Sequence, residues 1–277
     1  MRLTRSAAGI IAAIAALVIG LSACGPSGDA GPKGVEVGAS APASPSSDLT
    51  QATFADAIAA GLKSVTSMHV DLTYRGRFAD AGKLTGTAAS DVVRKGDETD
   101  LHMTTSVAGR DLDLFLIGSD VYVGLGEATG GRYVHATMDK LAKHAGLAKL
   151  LDGIHAADMG AQARAFAAGI TSFTKKGTGV VDGTAVTIYT MTVDPSKVAE
   201  GSRLLDPAQA RHLGKLTATY SLDAHNVPLR VDVRATTTGG QSLTISMHVS
   251  KLNQTGAIVP PPADQTIELS DLAGALH

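Results

Sequence analysis

The chain of 277 residues has no tryptophan, a single cysteine, five phenylalanines and five tyrosines. One cysteine leaves no partner for a disulfide within the chain and rules out a Cys-rich zinc site. So few aromatic rings mean that a buried interior is built from Val, Leu, Ile, Met and Ala. An excess of positive charge is lacking too: 24 Lys and Arg face 26 Asp and Glu, a net charge of −2. That balance argues against nucleic acid and against an electrostatic grip on anionic lipid headgroups.

Catalytic signatures are equally scarce. No H-E-x-x-H, G-x-S-x-G or P-loop pattern occurs, and the nine histidines are scattered along the chain. His69 and His248 fall on the wet faces of alternating segments, so the histidines read as solvated or locally bonded side chains. The Gly-rich stretch from Gly124 to Gly131 follows a strand-like run, but "RYVHAT" comes next, so it reads as a hairpin turn and not as a phosphate loop. The expectation is no catalytic residue, no metal, no cofactor and no enzyme.

What is present begins at the N-terminus. Arg2 and Arg5 precede a continuous apolar run, Ala7 to Gly20, and Leu21-Ser22-Ala23 then supplies small residues before Cys24. The run is shorter than the ~20 residues that a membrane-spanning helix needs, which points to a signal peptide over residues 1–23. The sequence Leu21-Ser22-Ala23-Cys24 resembles a lipobox. In that motif the chain is cut between Ala23 and Cys24, and the cysteine, whose thiolate is the strong nucleophile, carries diacylglycerol and an N-acyl chain. Loss of residues 1–23 removes two arginines and no acid, leaving 22 basic against 26 acidic residues, net −4. Residues 24–47 are rich in Gly, Pro, Ser and Ala and read as a flexible tether of roughly 25–30 Å end to end.

Order is expected over 48–277 as a single α+β domain. Asp48 is placed to cap a helix of about 18 residues that carries Phe54, Ile58, Leu62 and Val65 on one face. The period then switches to two at Met68, Val70, Leu72 and Tyr74, the pattern of a half-buried strand. Alternation recurs at Leu112 to Leu116, Val121 to Leu125, Val186 and Ile188, Val227 to Val233 and Leu243 to Val249, with weaker strand signals over 84–95 and 99–107. Turns are marked by Asp182-Gly183, by Asp223 to Asn226 and by Gly239-Gly240, so the strands form one antiparallel, meandering sheet. Helical spacing interrupts it at Met138, Leu141, Ala145, Ala148 and Leu151 after Thr137 as a cap. It returns at Met159, Ala163, Phe166 and Ile170 after Asp158, and near Leu205 to Leu213. The apolar face of such a sheet either packs on the helices as a filled core or curls with them round a cavity, and periodicity leaves both open.

The lipobox, the Ser/Pro tether, the helix leading into "SMHVDLTYRG", the pair "GVVDGTAVTIYTMTVDPSKV", then "ATYSLDAHNVPLRVDVR" and the tail "VPPPADQTIELSDL" together resemble the LppX/LprA/LprF/LprG family of actinobacterial cell-envelope lipoproteins. The resemblance implies a large curled antiparallel sheet, a half-open barrel similar to LolA, with helices packed in its concave face. It also implies an exported, membrane-anchored, monomeric protein facing the periplasm that binds acylated lipid or glycolipid and carries it across the envelope, with a membrane transporter as partner. Inward positions that would line such a cavity are Val70, Leu72, Leu114, Leu116, Val231, Val233, Ile245 and Met247. The other reading is a ligand-free docking lipoprotein in which these same residues are plain core.

Overall fold

The computed structural model of the chain describes residues 48–78, 82–96, 98–107, 110–124, 126–142, 166–201, 210–237, 240–269 and 271. The signal peptide, Ala23, Cys24 and the tether lie outside the described residues, as do Ala145, Ala148, Leu151, Met159 and Ala163.

Among the described residues twelve strands form one sheet. In chain order they are β1 (Ser67–Phe78), β2 (Gly82–Lys95), β3 (Glu98–Val107), β4 (Arg110–Ile117), β5 (Asp120–Gly124) and β6 (Tyr133–Thr137), then β7 (Ile170–Val181), β8 (Thr184–Val193), β9 (Leu213–Leu222), β10 (Pro228–Thr237), β11 (Ser242–Ser250) and β12 (Thr266–Glu268). The spatial order β12-β6-β5-β4-β3-β2-β1-β11-β10-β9-β8-β7 consists of two antiparallel meanders joined by the long-range β1–β11 pairing. The sheet is curled and not closed, because β12 and β7 remain as edges. One pairing departs from the antiparallel expectation: β12, from the C-terminal tail, runs parallel to β6, with Ile267 opposite Val134.

Turn chemistry sets the hairpins. Asp182 and Gly183 both adopt positive φ, 48° and 79°, the backbone that a two-residue hairpin needs to match strand twist. At the β9–β10 turn the Asp223 carboxylate accepts from the backbone N–H groups of His225 and Val227, both at 2.8 Å.

The first helix, α1 (Gln51–Lys63), is 13 residues long, shorter than its apolar spacing suggests. Its cap is Thr50, not Asp48: Thr50 and Thr53 form a reciprocal capping box, with Thr50 N–H donating to Thr53 Oγ1 at 3.0 Å. Asp48 instead accepts from Lys175 on β7, so a cross-sheet charge takes the carboxylate away from the helix. Phe54, Ile58 and Leu62 are each buried to 1% exposure or less, a contribution of about 1.5–3 kcal/mol per side chain. Phe54 packs edge-on against Phe173 and Tyr220, at centroid distances of 5.3 and 5.1 Å.

The later helical signals are met in part. Thr137 ends β6, and α2 (Met138–Ala142) follows it directly, with Leu141 buried. Ile170 opens β7 and is not helical, while Phe166 before it is buried. Of the helical piece expected near Leu205 to Leu213, residues 202–209 lie outside the described residues, Ala210 is helical and Leu213 opens β9. The helix after β8 is α3 (Pro195–Gly201), where proline fills the first position and Asp194 accepts from Ser196 N–H at 3.0 Å.

Candidate functional site

Register carries side chains of matching parity to the same face of the sheet. Leu72 lies opposite Met247, which lies opposite Val231; Ile245 lies opposite Val233. Val70 connects through Ser90 and Met103 to Leu114, while Leu116 sits in the neighbouring row opposite Leu101 and Val121. All eight positions singled out in the sequence therefore share the concave face. They do not share one environment. Val70, Leu72, Val231, Val233, Ile245 and Met247 belong to the main core under α1, each at 3% exposure or less. Leu114 and Leu116 belong to a second, smaller cluster with Val121, Ala136 and Leu141.

The two halves of the concave face differ in how well they are covered. From β8 to β11 the inward residues are buried, among them Met191, Leu216, Ala218, Tyr220 and Leu243. From β2 to β5 the inward Ala88, Leu101, Met103, Leu112, Leu116 and Val123 are only half-buried. Leu101, Met103 and Leu112 carried no lining role in the sequence reading, because the inner face there also holds Ser90, Thr105 and Gly86 and the alternation is blurred. Polar groups on this face are partnered: the Tyr74 hydroxyl lies 3.1 Å from Thr105 Oγ1, whose own hydroxyl reaches Thr87 carbonyl at 3.1 Å.

The convex face carries a groove of about 570 Å³ across β1 to β6. Its floor follows two register rows. Thr73, Thr87, Ser106 and Asp111 form one, and Asp71, Ala89, Thr104, Asp113, Gly124 and Tyr133 form the other. A third row of larger side chains, His69, Asp91, His102, Phe115, Tyr122 and His135, stands beside them. Gly124 has no side chain, and the Tyr133 ring leans across it so that its hydroxyl donates to Asp113 Oδ2 at 2.7 Å. Asp113 Oδ1 also lies 2.8 Å from His102 Nε2, and His102 stacks on Phe115 at 4.0 Å.

Histidines on this face are locally bonded. His69 Nδ1 lies 2.7 Å from Asp91 and His248 Nε2 lies 2.5 Å from Asp182. His135 holds Glu268 through Nδ1 at 2.6 Å and Asp120 through Nε2 at 2.9 Å. Burial lowers the His135 pKa, but these two carboxylates outweigh it and the net shift is upward. Among the described residues no three His, Asp, Glu or Cys side chains are placed to hold a metal ion.

These features define a class: a half-open, curled antiparallel sheet with a helix against its apolar concave side. Among solved structures the chain is similar to the lipoprotein LppX of Mycobacterium tuberculosis, with 19% identity, TM-score 0.40, and coverage of 76% of this chain and 100% of that one. It is also similar to LprF of Mycobacterium bovis, with 16% identity, TM-score 0.46, and coverage of 77% and 96%. A LolA superfamily protein of Nitrosomonas europaea shows 11% identity, TM-score 0.25, and coverage of 77% and 96%. No protein-family model and no curated protein matches the sequence. At this level of similarity the functional reading rests on the chain's own residues.

Proposed function

We propose that the protein is a membrane-anchored envelope lipoprotein that binds acylated lipid or glycolipid on the concave side of its sheet and carries it across the cell envelope, without catalysis. The observation that supports this most is the uneven cover of the concave face: a packed half under α1, and a half from β2 to β5 where Ala88, Leu101, Met103, Leu112, Leu116 and Val123 stay half-buried. An acyl chain leaves a bilayer only for a comparably apolar surface, and each buried methylene contributes about 0.8 kcal/mol. Met103, Leu112, Leu116 and Val123 supply that surface, with Leu114 buried beneath it. Val70, Leu72, Val231, Val233, Ile245 and Met247 form the packed wall behind it.

The Leu21–Cys24 lipobox fits the same reading, because a lipid anchor on Cys24 and a tether over 24–47 hold the domain where lipid is loaded and released. The test is to substitute Trp at Met103 and Leu116 together and to count the lipid extracted per mole of protein. Loading is expected to fall several-fold in a variant whose circular dichroism is unchanged. Unchanged loading in that folded variant would count against a lipid site in this half.

A further inference from the structure

We propose that the convex groove across β1 to β6 is a second binding site, separate from the lipid surface, and that its ligand is a linear, uncharged oligosaccharide. The floor is hydroxyl-rich. Among the described residues, Thr73, Thr87, Thr104 and Ser106 spend no side-chain hydroxyl on a protein partner, and neither does the Asp111 carboxylate. Hydroxyls both donate and accept, so a row of them ending in a carboxylate matches the alternating donors and acceptors of a sugar.

The lining excludes other classes. Among the described residues no Lys or Arg lines the groove, while Asp71, Asp111 and Asp113 do; Arg75 stands only in the next row of the same face, so a polyanion in the groove would meet like charge first. The lining also includes Leu72, Ala88 and Leu112, whose side chains belong to the concave face, and Ala89, which suits the C–H face of a sugar ring, whereas a wholly apolar ligand would leave the hydroxyls without partners. A polycation is a weaker fit than a glycan. Asp113 is already engaged by His102 and Tyr133, and Asp71 lies 3.5 Å from His69 and 4.0 Å from His248, which leaves Asp111 as the one unshared carboxylate among the described residues of the groove.

Dimensions point the same way. From Asp71 on β1 to Tyr133 on β6 the groove crosses six strands, a span of about 24 Å at the usual strand spacing. That is the reach of several sugar rings in line. The Tyr133–Asp113–His102 chain of bonds, laid over Gly124, fixes one end of the groove before any ligand arrives.

The experiment is saturation-transfer NMR on the full chain in detergent micelles, which observes ligand protons and tolerates a large complex. The probes are linear mannotetraose, maltotetraose and cellotetraose, each also presented as a headgroup on a lipid, with tetralysine as a cationic comparator. At least one tetrasaccharide is expected to bind saturably, and the double variant Thr87→Val, Asp111→Ala to weaken it about tenfold or more. Lipid loading should be unchanged in that variant, since both residues face away from the concave side. Tighter binding of the lipid-linked form supports a glycolipid headgroup as the source, and equal binding supports a wall glycan. Binding of tetralysine alone, no binding of any tetrasaccharide, or an affinity indifferent to the double variant would each overturn the proposal.

Discussion

Tyr133 and Tyr220 show how differently two phenols are treated in a chain with few aromatic rings. Tyr220 is wholly buried against Phe54 and Phe166, its hydroxyl has no hydrogen-bond partner among the described residues, and burial alone drives its pKa upward. Tyr133 is half-buried, and its hydrogen bond to Asp113, with burial and the carboxylate charge adding, pushes it up to about 12. That geometry depends on a missing side chain: a Cβ at Gly124 would stand 3.0 Å from the Tyr133 ring and 3.4 Å from Asp113 Cβ. Gly124→Val is therefore expected to push the ring off Asp113 and return its phenol toward 10. Phenolate absorbance against pH, with Tyr133→Phe to assign the transition, measures it. An unmoved titration would mean that the ring does not rest on Gly124.

Helix α1 and strand β12 both depend on contacts far away in sequence. At Gly61 an added Cβ would come within 2.3 Å of the His225 carbonyl oxygen, so glycine is what lets the last turn of α1 sit against the β9–β10 turn. Strand β12 has three residues, and the His135 imidazole on β6 ties it down by holding both Glu268 and Asp120. Lys140 of α2 lies 3.8 Å from Glu268, and the Tyr122 ring stacks on His135 at 4.7 Å. With both ring nitrogens facing carboxylates, the charged imidazolium is the form that satisfies the site. A raised folded-state pKa means that this stabilisation is complete below the ordinary histidine value of about 6.5. It is lost as pH rises through the higher folded value. Glu268 is shifted down, chiefly by the His135 bond, so its share is lost only in acid. NMR shifts of Ile267 and Glu268 should therefore report β12 loosening as pH rises above the ordinary histidine value, and His135→Gln should remove that transition. A β12 signal flat with pH in the unaltered chain would contradict the clamp.

These elements also show what periodicity can and cannot give. Strict alternation made β1, β10 and β11 legible because their inward faces are buried and apolar from end to end. The segments that became β2 and β3 alternate poorly for a physical reason: their inward positions include Gly86, Ser90 and Thr105, on the half of the sheet that is less covered. The cap of α1 went to Thr50 because Asp48 found Lys175, more than a hundred residues away, which no local pattern records. The floor of the groove was visible only as polar positions on wet faces. Which of them stand side by side depends on the register of six strands.

For the molecule as a whole, the β1–β11 ladder is the decisive pairing, since it joins two meanders into one concave surface. It gathers the apolar positions named from sequence onto one face and divides them between a packed half and a half-buried one. Anchoring at Cys24, lipid binding on that second half and glycan binding on the opposite face would together make a tethered carrier with two independent surfaces. Lipid binding is the central claim, and native mass spectrometry of the Cys24→Ala chain, released from the membrane and purified without detergent, tests it most directly. The expected result is a protein peak carrying the added mass of an acylated lipid, lost when Met103 and Leu116 are both replaced by Trp. A folded chain that flies at its bare mass, with no lipid extractable from it, would contradict the claim.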